Sequence, residues 1–90
     1  MNRIRRREIS ELVKELQEIE ERLGGIFQRI DEINYDETEY RECMPENLQG
    51  GERYCASEEA SNNLDEAYRE SYVLSDYIEN VIGCLEEAMA

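Results

Sequence analysis

From Ile9 onward, apolar residues recur at Leu12, Leu16, Ile19, Leu23, Ile26, Ile30 and Ile33, in alternating steps of three and four. Such spacing keeps one face of an α-helix apolar, and its seven-residue period points that face at a partner helix along its whole length. Continued by the same rule, the stripe reaches Glu37, Tyr40 and Met44, while Val13 and Phe27 widen it on one side. A strand would need alternation of period two, which is absent. The spacing predicts one helix over about 3–43. Gly24 and Gly25 weaken it, at roughly 1 kcal/mol each, without shifting the heptad phase. The pair reads as a soft point within one continuous helix, with a hinge as the alternative.

Pro45 disfavours a helical Met44 and commonly follows a helix end. The stretch Met44-Pro45-Glu46-Asn47-Leu48-Gln49-Gly50-Gly51 is the one clear break in the pattern, and its length suits a connection between antiparallel helices. A second helix is predicted over about 52–88, starting at Glu52 or at Ser57, where Glu58 and Glu59 would follow an N-cap serine. Its heptad reads Ala60, Leu64, Ala67, Ser71, Leu74, Ile78, Val81, Leu85 and Ala88. Tyr68, Tyr72, Tyr77, Ile82 and Met89 lie beside that seam.

The fold class is therefore all-α: one domain over 1–90, folded as a long antiparallel, coiled-coil-like helical hairpin. Two helices bury a stripe rather than a core. With the seam assigned to the two 3–4 series above, Val13, Phe27, Tyr68, Tyr72 and Ile82 are left facing water. A second copy would cover them in a dimeric four-helix bundle; a foreign partner is the rival.

Charge narrows the function. Lysine and arginine total 10 and aspartate and glutamate 23, for a net charge of −13. As a whole the chain repels phosphate, so direct nucleic-acid binding is not expected. The exception is Arg3-Ile4-Arg5-Arg6-Arg7. It reads either as a solvated helix end that folds back on the acidic body or frays against the helix dipole, or as a contact for a phosphate backbone or an acidic groove. Glu8, Glu11, Glu15 and Glu18 form one acidic row on the first helix. Glu59, Glu66 and Glu70 form a second row and Asp65, Glu79 and Glu86 a third, both on helix two. Carboxylates three or four residues apart stand ~5–6 Å from each other, a spacing comparable with phosphates along a nucleic-acid strand. The plainer reading is a Glu-rich, soluble helix surface. Few basic residues pair these acids, which keeps mimicry of nucleic acid in play.

Histidine is absent, which excludes Ser-His-Asp triads and histidine-bearing metal centres. No glycine loop for phosphate and no calcium-loop spacing occurs. No catalysis, cofactor or metal is expected. Cys43, Cys55 and Cys84 have no Cys-x-x-Cys spacing and read as free thiols. Cys43 and Cys55 flank the turn symmetrically, so an oxidised pair is open. No apolar stretch is long enough to span a membrane and no apolar run follows the basic start, so a cytoplasmic protein is expected.

The turn Met44-Pro45-Glu46-Asn47-Leu48-Gln49-Gly50, followed by Glu52-Arg53-Tyr54, and the opening Arg5-Arg6-Arg7-Glu8-Ile9, resemble small acidic helical proteins of phages and prophages of Gram-positive bacteria. The resemblance implies a mobile-element origin and action in a bacterial cytoplasm. It brings no functional residues with it, and Tyr68, Tyr72, Tyr77 and the cysteines are not features of that group. The expected function is a non-catalytic inhibitor of a basic, nucleic-acid-binding host protein, of the anti-defence or anti-CRISPR type. Its acidic rows would fill the groove, with Tyr35, Tyr40, Tyr54, Tyr68 and Tyr72 as aromatic anchors. The alternative is a structural homodimeric coiled-coil adaptor.

Overall fold

Asn2 is extended, and its side-chain Oδ1 accepts the backbone N–H of Arg5 at 2.8 Å. That cap satisfies one of the unpaired donors of the first turn, so helix α1 (Arg3–Glu42) begins at the arginines themselves. It runs without interruption through Gly24 and Gly25. In this computed structural model, which describes residues 1–90, α1 is followed by a single 3₁₀ turn, Glu46–Leu48, and by helix α2 (Glu52–Met89). Gly50 turns the chain with a φ of +87°, a conformation that costs a residue with a Cβ, and extended Gly51 precedes α2. Ser57 is therefore not the N-cap of α2. It lies inside that helix, buried against α1.

The two helices fold back on each other as an antiparallel hairpin measuring 70 × 15 × 13 Å. Cross-hairpin contacts fix the register: Ser10 meets Met89, Phe27 meets Tyr72 and Asn34 meets Asp65, each pair totalling 99. Apart from Thr38 at the seam's edge, half-buried or buried positions on α1 are Ile9, Val13, Leu16, Glu20, Leu23, Phe27, Ile30, Asn34, Glu37 and Arg41. On α2, apart from Ala60 at the edge, they are Tyr54, Ser57, Ser61, Leu64, Tyr68, Ser71, Ser75, Ile78, Ile82, Leu85 and Met89. Both sets step by three and four, so each is a true heptad seam.

That seam differs from the expected one by half of its width. Ile9, Leu16, Leu23 and Ile30 on α1, and Leu64, Ile78 and Leu85 on α2, do lie in it. Leu12, Ile19, Ile26 and Ile33 do not; nor do Leu74 and Val81. All six stay about half exposed. Their places are taken by residues one position further along α1 and α2, Val13 and Phe27 on one side, Tyr68 and Ile82 on the other. These were expected to face water and instead join the helices. The physical reason lies in what each column can meet. Phe27 packs against Tyr68 and Tyr72, with ring centroids 5.9 and 5.5 Å away, the second stacked at 11°. Asn34 Nδ2 donates to Asp65 Oδ1 at 2.8 Å. Nearer the turn, Arg41 donates to the carbonyl of Ser57 and to the Ser57 and Ser61 hydroxyls, at 3.1, 3.2 and 2.9 Å. Two polar members of this mixed column, Asn34 and Arg41, find partners on α2, although Asn34 Oδ1 stays buried without one.

Candidate functional site

No side chain of the hairpin is fully buried. Only Val13, Leu23, Ile78 and Ile82 form its core, against 14 large hydrophobic residues that remain exposed. Half of those 14 are not scattered. Leu12, Ile19, Ile26, Ile33 and Tyr40 form one column on α1, and Leu74 and Val81 belong to a column on α2 that continues through Ala60, Ala67 and Ala88. The seven large members each leave 49–52% of their surface in solvent. Viewed from its own N-terminus, each column lies on the same hand of its helix's seam. Because the helices are antiparallel, the same hand is the same side of the hairpin. The register also sets the columns level, giving five rungs: Leu12 with Ala88, Ile19 with Val81, Ile26 with Leu74, Ile33 with Ala67, Tyr40 with Ala60. Each pair totals 100, within one residue of the contacts already described. Completing the burial of one half-exposed isoleucine or leucine stabilises by about 1 kcal/mol. Seven half-exposed residues are aligned on this one flank.

The opposite flank has the same geometry and opposite chemistry. Its positions are Ser10, Gln17, Gly24, Asp31 and Thr38 on α1, with Glu58, Asp65, Tyr72, Glu79 and Glu86 on α2. Tyr72 alone is large and apolar there, and its ring lies on Phe27. One flank is thus an apolar ladder and the other a polar surface, acidic at Asp31 and along α2.

Glu8, Glu11, Glu15, Glu18, Glu59, Asp65, Glu66, Glu70, Glu79 and Glu86 are all exposed. They do not converge on one face: Asp65, Glu79 and Glu86 stand on the polar flank, Glu8, Glu15 and Glu70 beside the apolar one, and Glu11, Glu18, Glu59 and Glu66 on the backs of the helices. Of the 23 acidic residues, only Glu66 sits in an ion pair, with Arg69 at 2.7 Å. A net charge of −13 therefore remains along the rod, with one close ion pair in it.

The aromatic candidates divide. Tyr35 is exposed and donates to Glu39 Oε1 at 3.2 Å, and Tyr40 is the exposed top of the fifth rung. Tyr54 and Tyr68 sit half-buried in the seam, so they hold the hairpin together rather than stand free as anchors. Cys43, Cys55 and Cys84 are free and exposed, with no disulfide across the turn. A shallow cleft of about 470 Å³ opens at the turn, lined in part by Tyr40, Met44, Pro45, Leu48 and Arg53. It continues the apolar flank around the tip. No group of three potential metal ligands comes together anywhere on the hairpin, and no helix is long and apolar enough to cross a membrane.

Sequence reasoning missed the Asn2 cap and the Arg41 cluster. Asn2 was visible as a capping residue just ahead of the arginines. Arg41 shows only once the register puts it opposite two serines. No protein-family model matches this chain, and neither the curated proteins nor the solved structures contain a match to it.

Proposed function

We propose that this chain is a non-catalytic protein-binding module that acts through its long helix faces, paired as a homodimeric bundle. The observation that carries this is the contrast between its two flanks. An apolar ladder on one side is suited to helix packing, and a polar flank on the other, acidic mainly along α2, is suited to a charged partner. The target we propose is a basic, nucleic-acid-binding protein of a bacterial host, inhibited in the manner of a phage-borne anti-defence or anti-CRISPR protein. Support comes from 23 acidic side chains with a single ion pair among them, which steer the rod toward positive grooves. The turn sequence, which resembles that of phage proteins, points to the same setting.

The test is competition between the purified protein and double-stranded DNA for CRISPR effector nucleases and other basic DNA-binding proteins of Gram-positive hosts. DNA should be displaced, and binding should weaken at least tenfold between about 50 and 200 mM salt, since the contacts are ionic. Affinity indifferent to salt would sink the mimicry.

The apolar ladder taken alone favours a second reading, a structural homodimeric coiled-coil adaptor. That reading expects the same pairing but no salt-sensitive partner, so capture from a host lysate that retains only further copies of the chain would favour it.

A further inference from the structure

We propose that the apolar ladder is covered by a second copy lying the same way round. The two turns would sit at one end, and α1 of each hairpin would lie over α2 of the other. This rests on the pairing proposed above and specifies its geometry. Two hairpins placed ladder to ladder have two symmetric choices. In one, the twofold axis runs along the rod and the turns lie together. In the other, the axis crosses the rod, the turns lie at opposite ends, and α1 lies over α1.

Register separates the two. A twofold along the rod permits no sliding, so a residue of α1 is level with whatever residue of the partner's α2 matches it within one hairpin. The five rungs of one copy then meet the same five rungs of the other. Each large α1 residue at Leu12, Ile33 and Tyr40 sits beside an alanine of the partner. The crossed arrangement would instead put Leu12 in one layer with the partner's Tyr40.

Charge at the rim points the same way. The next positions outward on α1 include Glu15, Arg22, Arg29 and Asp36, and on α2 include Asn63, Glu70, Tyr77 and Cys84. With turns together, Arg29 is level with the partner's Glu70, Arg22 with the partner's Tyr77 and Asp36 with the partner's Asn63; no like charges meet. With turns apart and Ile26 at the centre, Arg22 faces the partner's Arg29 and Glu15 faces the partner's Asp36. Like charges so placed disfavour that pairing. The ladder spans about 42 Å from Leu12 to Tyr40 at 1.5 Å per residue, across a rod 15 Å wide. That is roughly 600 Å² per hairpin and about 1,200 Å² in all, at the lower edge of stable specific interfaces.

The experiment has two stages. Native mass measurement on the unaltered chain at micromolar concentration should give a dimer, and a monomer throughout would overturn the occupancy by a second copy. Cross-linking then uses a background carrying Cys43→Ser, Cys55→Ser and Cys84→Ser, with the mass measurement repeated on it. Arg29→Cys with Glu70→Cys should yield a covalent dimer under mild copper–phenanthroline oxidation, because within one hairpin those positions point away from each other. Arg22→Cys with Arg29→Cys should yield none. A dimer linked by the second pair, or by neither, overturns the side-by-side arrangement while leaving the dimer standing. If the triple serine background loses the dimer, spin labels on the native Cys43 and Cys55 report the turn-to-turn distance instead, and a separation near the rod's length overturns the arrangement.

Discussion

Arg41 on α1 donates to the Ser61 hydroxyl on α2 at 2.9 Å, and the same nitrogen reaches Ser57 twice. This guanidinium has no carboxylate within ion-pair distance; serine oxygens are its partners. Removing it leaves Ser57 and Ser61, both buried, without their donor. Arg41→Ala should therefore cost about 1–3 kcal/mol in urea unfolding. Combined with Ser61→Ala, the two losses should be less than additive. Simple additivity would show that the cluster does not act as a unit.

The central rung offers a contrast between flanks. Ile26→Glu places a charge in the middle of the ladder and should convert the dimer to monomer, with the melting temperature falling and losing its dependence on protein concentration. Gln17→Glu, on the polar flank, should leave mass and melting temperature nearly unchanged. Equal effects from both would mean that the flanks are not distinct in solution.

Glycine predictions run in opposite directions. A Cβ at Gly24 or Gly25 meets nothing within 4 Å, and both residues are helical. Gly24→Ala and Gly25→Ala should each raise stability by up to about 1 kcal/mol, measured by thermal unfolding. Gly50, at a φ of +87°, should respond the other way, with Gly50→Ala destabilising by about 1 kcal/mol. If Gly24→Ala lowered stability, the helix would be bent there in solution.

Salt should stabilise the free protein. With one ion pair for 23 acids, repulsion between carboxylates outweighs attraction, and screening relieves it. The melting temperature should rise between about 10 and 500 mM sodium chloride, while affinity for a basic partner falls. A melting temperature that fell with salt would contradict that repulsion.

Much of this architecture was legible in the residues. The 3–4 spacing marks two helices, and Pro45 with Gly50 and Gly51 marks the turn. The seam was legible only by half. Three neighbouring columns of α1 follow the same period: that of Leu12 and Ile19, that of Ile9 and Leu16, and that of Val13 and Phe27. Spacing cannot say which two face α2. The most uniformly apolar choice puts Leu12, Ile19, Ile26 and Ile33 inside. The structure prefers the column holding Asn34 and Arg41, because Asp65, Ser57 and Ser61 stand level with them, a fact that needs the register. Burial in a single hairpin also demands less apolar surface than the chain possesses, so its most hydrophobic column is the one left over.

The Ser57, Ser61 and Arg41 cluster lies beside the turn, whereas Leu23 lies at the middle of α1 and Val13 and Ile82 lie toward the chain ends. Contacts near the turn close short loops, such as the 16 residues between Arg41 and Ser57, while Ser10 and Met89 close one of 79. The longer closure costs about 1.4 kcal/mol more in chain entropy. In this hairpin the side-chain contacts with the shortest loops are polar, and the aromatic cluster forms only when Phe27 meets Tyr68, 41 residues further along the chain. Such non-local contacts raise the contact order above that of a hairpin held at its turn and slow its closure.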